Sequence, residues 1–264
     1  MGSIFSPACQ GGTVKRSAAR MTYRRVAFVF AIALIAAVSA MAITRVVPAP
    51  AKAAKHRMVV VIDAGHQGKA DNRLEPIGPG SKKRKPRVTS GTSGVATHKP
   101  ESLINLRVAL KLRDELEKRG VKVIMIRTSQ NVNIANSRRA KIANAAHADL
   151  FIRLHCDGTN NPKIKGLLTL VPANNKWTSK IVKKSARAGR DVQGATLKTT
   201  HADDRGIVGR GDMSGFNWAK VPSIIVEMGV MTNREEDRRL ATTQYEARLA
   251  NGMAIGVMRF LAGK

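Results

Sequence analysis

The sequence predicts an α/β domain: one central, mostly parallel, twisted sheet flanked by helices. Three observations carry this expectation. Val59 to Ile62 are four consecutive β-branched residues, the run expected of a strand buried on both faces. Ile104, Val108, Leu112 and Leu116 recur every fourth position, which lines one side of a helix. Apolar runs and helical stripes of these kinds then alternate to the end of the chain, the pattern of a sheet whose strands are joined by helical crossovers.

The first part of the chain stands outside this alternation. Lys15, Arg16, Arg20, Arg24 and Arg25 precede eighteen uncharged residues, Val26 to Ile43, and small-x-small sites follow at Ala40-Met41-Ala42 and in "APAKAA". A basic stretch, an apolar core and candidate cleavage sites together mark an export signal. The core just reaches the length that spans a bilayer, so a retained membrane anchor over residues 26–43 is the alternative to a cleaved signal. In either case the positive flank keeps the N-terminus inside and the bulk of the chain outside. The sequence thus divides into residues 1–57 (basic region, signal or anchor, linker) and a domain over residues 58–264, exported and extracellular or wall-associated.

Within the domain the elements follow in order. "MVVVIDA" is the first strand. "ESLINLRVALKLRDELEKRG" is a helix that starts behind Pro100 and stops at Gly120. "VKVIMIR" is the second strand, and "ANSRRAKIANAAHA" a helix with Asn133 or Asn136 as its cap. "DLFIRLHCDG" and "GLLTLV" are the third and fourth strands. Residues 176–193 read as helix, "PSIIVEMG" as a late strand, and the tail from Arg234 as helix, closing in "YEARLANGMAIGVMRFL". About thirty residues between the first strand and the first helix do not fit. They are rich in Gly, Pro, Ser and Lys, and five basic residues crowd between Lys82 and Arg87. Such a loop, without structure of its own, is either functional or disordered. Its charge run reads first as a mobile, solvated tip, and second as a patch that rests on anionic polymer.

Charge narrows the partner. Lys and Arg outnumber Asp and Glu by 46 to 18, a formal charge of +28, and every acidic residue lies beyond residue 57. A surface this basic seeks a polyanion. Export, an aromatic content of only 4%, and the lack of a recognition-helix or zinc-finger pattern argue against nucleic acid. An anionic cell-wall polymer remains. Cys9 precedes the apolar segment and Cys156 stands alone after it, so there is no disulfide framework.

Three buried-looking runs close on a polar group: His66, His155 and Glu227. In open α/β sheets, ligands bind outside the carboxyl ends of the strands. Glu101 joins them, since it lies three residues before Ile104 and so continues the apolar face of the first helix. A carboxylate on that face needs a partner. Two histidines and a glutamate are a common ligand set for catalytic zinc, with a fourth position left for water. Each residue alone has a plainer explanation. Either histidine could be a hydrogen-bonded core residue, Glu101 a first-turn acid favoured by the helix dipole, and Glu227 a partner of Arg205 or Arg210. Together these explanations would have to converge on one sheet edge. Glu75 is a rival ligand on an unsupported loop. Cys156 is another, but strand neighbours point to opposite faces, so it and His155 can hardly hold one ion. His56, His98, His147 and His201 lie in the linker, loops or helix ends.

Four ordered blocks, "VVVIDAGHQG", "KPESLINLRVALKLRDELEKRGVKVIMIR", "ANSRRAKIANAAHADLFIRLHCDG" and "VPSIIVEMGVMTN", resemble the zinc-dependent N-acetylmuramoyl-L-alanine amidases of type 3, bacterial wall-remodelling and cell-separation enzymes. The resemblance runs from Met58 to about Leu261. The insertion "EPIGPG…SGTSGVATHKPE" resembles a subgroup of them. Ala64 stands where the family usually has Pro, and Cys156 where a small residue is common. The resemblance implies hydrolysis of the amide between the lactyl group of N-acetylmuramic acid and L-alanine in peptidoglycan. It implies zinc held by His66, Glu101 and His155, with Glu227 as the catalytic carboxylate. Two rival readings stand beside it: a catalytically silent wall-binding module, for which Glu227 has no use, and a zinc peptidase cleaving stem-peptide bonds.

Overall fold

A computed structural model describes residues 57–263, so the export signal or anchor read at residues 26–43 lies outside the described residues. The strands are β1 (Val59–Ala64), β2 (Asp71–Pro76), β3 (Arg84–Val88), β4 (Lys122–Met125), β5 (Leu150–Asp157), β6 (Leu167–Pro172), β7 (Asp204–Arg210) and β8 (Ser223–Val230). The helices are α1 (Glu101–Lys118), α2 (Asn136–Ala145), α3 (Val182–Thr200), α4 (Ser214–Asn217), α5 (Arg234–Leu240) and α6 (Thr243–Ala262). Among the described residues no helix is long and apolar enough to cross a membrane.

Six strands form one sheet in the order β4-β1-β5-β8-β6-β7. The β1/β4, β1/β5, β5/β8 and β6/β7 pairs are parallel, while β6 runs antiparallel to β8. The mostly parallel sheet expected from the alternation is therefore present, with one reversal. Its central strands β1, β5 and β8 are buried over most of their length, as their apolar runs require. On one face Ile104, Val108, Leu112 and Leu116 of α1 and Leu249, Met253, Val257 and Phe260 of α6 pack over Val60, Ile152 and Val226. On the other face Ala140 and Ala143 of α2 cover Val61 and Phe151. Truncating any of the large side chains to Ala costs on the order of 2–5 kcal/mol.

Several local expectations are corrected. The segment after β1 has structure of its own, because β2 and β3 pair as an antiparallel hairpin. Glu75 of that hairpin is buried and accepts from the Ser137 backbone N–H and, at 2.5 Å, from its hydroxyl. It thus caps α2 from outside, in the role expected of Asn133 or Asn136, and is no metal ligand. Lys82, Lys83 and Arg84 are exposed, but Lys85 and Arg87 are half-buried and paired, Lys85 with Asp212 at 2.8 Å and Arg87 with Asp71 at 3.2 Å. The α3 helix starts six residues later than residue 176, because the Asn175 side chain accepts from Trp177 N and Thr178 N and holds a turn there. The β7 strand was not anticipated, since "DRGIVGR" carries two glycines and sits on an exposed edge.

Candidate active site

The sheet and α1 bring His66, Glu101 and His155 together, with one donor atom from each lying within 4.8 Å of the others. His66 follows the end of β1 by two residues and has a left-handed backbone, with φ of 59°. His155 lies near the end of β5. Glu101 opens α1 and is only 3% exposed, as its place on the apolar stripe predicts.

Glu101 Oε1 is 3.2 Å from His66 Nε2 and 3.0 Å from His155 Nδ1. The same oxygen accepts from Asn105 Nδ2 and from the Cys156 backbone N–H, each at 3.1 Å, and Oε2 accepts from Thr92 N at 2.9 Å. Burial by itself raises the Glu101 pKa. Hydrogen bonds from His155 and His66 outweigh it and hold the carboxyl well below the ordinary range. Burial, countered by Glu101, lowers the His155 pKa to about 4, so its imidazole is neutral near pH 7. His66 Nδ1 lies 2.7 Å from the Thr89 carbonyl, which can only accept. That contact puts a proton on Nδ1, and Nε2 faces the Glu101 carboxylate.

This donor set fits a cation. Two imidazole nitrogens aimed at one carboxylate oxygen repel it unless protons or a shared ion intervene. Ligands on one tetrahedral zinc at 2.0–2.1 Å are separated by about 3.3 Å, close to the two spacings between Glu101 and the imidazoles. Glycine is required at two approaches. A Cβ on Gly65 would fall 2.3 Å from the His155 ring. One on Gly91, whose φ is +80°, would fall 2.5 Å from Glu101 Oε2 and 2.8 Å from His66.

Glu227 on β8 is the in-register partner of His155 on β5. Its Oε2 is shielded from solvent and has no hydrogen-bond partner among the described residues. Burial, reinforced by Glu101 and Asp157, pushes its pKa well above the ordinary carboxylate range. The plainer explanation for it does not hold, because Arg205 pairs with Asp157 and Arg210 with Asp212. Two cavities meet at His66, His155 and Glu227. One, of about 260 Å³, is walled by Lys85, Val88, Met213 and Ile225; the other, of about 500 Å³, is open and lined by Thr92, Asp157, Thr159 and Asn160.

Other candidates separate from the site. His98, His147 and His201 have no place in the cluster among the described residues. The Cys156 thiol is buried and turns to Asn105 Oδ1 at 3.6 Å, away from the donor set, as strand alternation requires. Sequence reasoning missed Asn105, although it lies one helical turn after Glu101 on an otherwise apolar face. It also missed Asp63, whose carboxylate is fully buried between Arg139 and Arg153 at 2.5 and 2.8 Å.

Comparison with known proteins gives this site a context. The family model described as N-acetylmuramoyl-L-alanine amidase matches residues 60–259. An N-acetylmuramoyl-L-alanine amidase of Mycobacterium tuberculosis is 32% identical over 213 residues, covering 78% of this chain and 87% of that protein. The amidase AmiA of Escherichia coli is 25% identical over 247 residues, covering 80% and 78%. The crystal structure of the amidase Ami1 from Mycobacterium smegmatis superposes with a TM-score of 0.70 at 26% identity, covering 78% of this chain and 98% of that one. With a sheet, helices and family match that all agree, this chain belongs to the N-acetylmuramoyl-L-alanine amidases, hydrolases of peptidoglycan that act in cell-wall remodelling.

Proposed function

We propose that the chain cleaves the amide between the lactyl group of N-acetylmuramic acid and L-alanine with the help of one zinc ion, held by His66, Glu101 and His155. The convergence of their donor atoms around Glu101 Oε1 is the observation that carries this reading. Zinc bound there supplies Lewis acidity toward the amide carbonyl and toward water. Glu227 lies outside the ligand set, and its unpartnered Oε2 is free to take the proton of the attacking water. As the C–N bond breaks, Glu227 returns that proton to the departing amine of L-alanine. Thr89 and Asn105 keep His66 and Glu101 in their working orientation.

The export pattern of residues 1–57 supports a catalytic domain over residues 58–264 that works outside the cell or on its wall, with residues 26–43 as signal or anchor. The basic surface supports contact with anionic wall polymers. Digesting purified peptidoglycan and identifying the new amino terminus tests the reading. A free L-alanine terminus is expected. Another terminus would indicate a stem-peptide peptidase, and none at all a silent binding module.

A further inference from the structure

Arg127 follows β4 and is only 2% exposed. None of its hydrogen-bond partners is a carboxylate, and Asp63 acts on it only without a bond. Its five N–H donors are all taken by chain oxygens instead. Nε donates to the Ala64 carbonyl at 2.8 Å, and Nη2 to the carbonyls of Gly65 at 3.0 Å and Ser102 at 2.7 Å. Nη1 donates to the Ser129 carbonyl at 3.1 Å and to Gln130 Oε1 at 3.3 Å. Leaving a charge in the interior without a counter-charge is costly, and a purely structural link could be made by a neutral group.

The location of the accepted carbonyls explains the arrangement. Ala64 and Gly65 lead directly into His66. Ser102 follows directly on Glu101. One planar guanidinium therefore joins the end of β1 to the first turn of α1, which are the two segments that deliver these side chains. The His66 segment needs such support, since its left-handed backbone is unfavourable for a residue with a Cβ. Arg139 assists by donating to the carbonyls of Ala64 at 3.1 Å and His66 at 3.0 Å, but its charge is balanced by Asp63. Asn105 of α1 also donates to the Gly65 carbonyl, at 3.3 Å, but of the two arginines only Arg127 reaches both segments, and it does so with three donors.

We propose that Arg127 is a positioning residue: it sets the separation of His66 and Glu101, and through it the affinity of the site for its metal, without touching the metal. The proposal rests on the assignment of His66, Glu101 and His155 as ligands. Groups that orient metal ligands at second hand are commonly worth 10- to 100-fold in affinity.

The test is zinc titration of the full chain against a chromophoric chelator, with thermal unfolding of the metal-free protein measured beside it. Arg127→Lys keeps the charge but has three donors on a point rather than a five-donor fork, and Arg127→Met removes every donor. Leu249→Ala, on α6 in the core and away from the site, gives the effect of lost stability alone. Arg127→Met is expected to weaken zinc about 10- to 100-fold, with Arg127→Lys in between and Leu249→Ala binding like wild type despite its lower melting temperature. If Arg127→Met does not fold, the Arg127→Lys comparison carries the test by itself. Wild-type affinity in Arg127→Lys, or equal weakening in Arg127→Lys and Leu249→Ala at equal loss of stability, would overturn the proposal. A wild-type chain that binds no zinc would instead overturn the ligand assignment on which it rests.

Discussion

His155 and Glu227 occupy directly paired positions on adjacent parallel strands, which sets the imidazole and the carboxylate side by side on one face of the sheet. The consequence is electrostatic. Among the described residues no ion pair holds Glu227, and burial with the nearby charges of Glu101 and Asp157 outweighs the pull of Arg205 and Arg153 and lifts its pKa well above the ordinary carboxylate range. The rigid pairing of two central strands fixes the distance between the proposed proton carrier, Glu227, and the proposed ligand His155.

Gly91, like Gly65, brings backbone close against the proposed ligand set. Gly91→Ala places a Cβ against Glu101 Oε2 and His66 at a φ of +80°. The expected result is loss of most bound zinc and of turnover, with a backbone cost of roughly 1–2 kcal/mol. Metal content and urea unfolding, measured on one preparation, check it. Full zinc occupancy would show that the loop yields without disturbing the ligands.

Asp63 supports the site from below. Burial alone raises its pKa, but Arg139 and Arg153 outweigh burial and hold it well below the ordinary range. Its folded value is lower than its unfolded one, so the stabilisation is complete above about pH 4 and is lost as pH falls through the folded value. Asp63→Asn is expected to cost about 3–5 kcal/mol near neutrality, because it leaves two arginines buried without their counter-charge. It is also expected to lose less further stability in acid than wild type does. Urea unfolding at about pH 7 and about pH 3 measures both effects. Parallel acid losses in the two proteins would assign the acid sensitivity to other groups.

The basic run divides into two parts. Lys82, Lys83 and Arg84 are exposed near the hairpin turn, whereas Lys85 bonds Asp212 beside the smaller cavity. Neutralising the first three is expected to weaken salt-sensitive retention on cell walls and to leave turnover of a small soluble muropeptide unchanged. Lys85→Ala is expected to lower that turnover, since it removes a wall of the cavity. Sedimentation with walls across a salt series, alongside the muropeptide assay, separates these effects. Retention that does not change when the three are neutralised would place wall contact elsewhere.

Much of this architecture was legible because its signals are periodic. The β-branched run of β1 leads to His66, and the fourfold stripe of α1, read backwards by three positions, leads to Glu101. The runs of β5 and β8 lead in the same way to His155 and Glu227, although that these two strands pair in register shows only in the fold. What escaped the reading lacks periodicity. The β7 strand is an edge strand with two glycines. The hairpin of β2 and β3 buries Asp71 and Glu75 where a strand pattern predicts apolar groups. The start of α3 is set by one side-chain turn at Asn175. Arg127 and Arg139 look like solvated charges in the sequence. Their roles emerge only when the carbonyls around His66 and Glu101 come together in space.

The central claim is the division of labour between the ligand set and Glu227, and the turnover of zinc-loaded Glu227→Gln on peptidoglycan tests it most directly. The amide is nearly isosteric and leaves His66, Glu101 and His155 in place, so zinc should remain at one ion per chain. Turnover should fall by roughly 10² to 10⁴, the usual worth of a positioned acid–base group. Near-wild-type turnover with zinc bound would contradict the account.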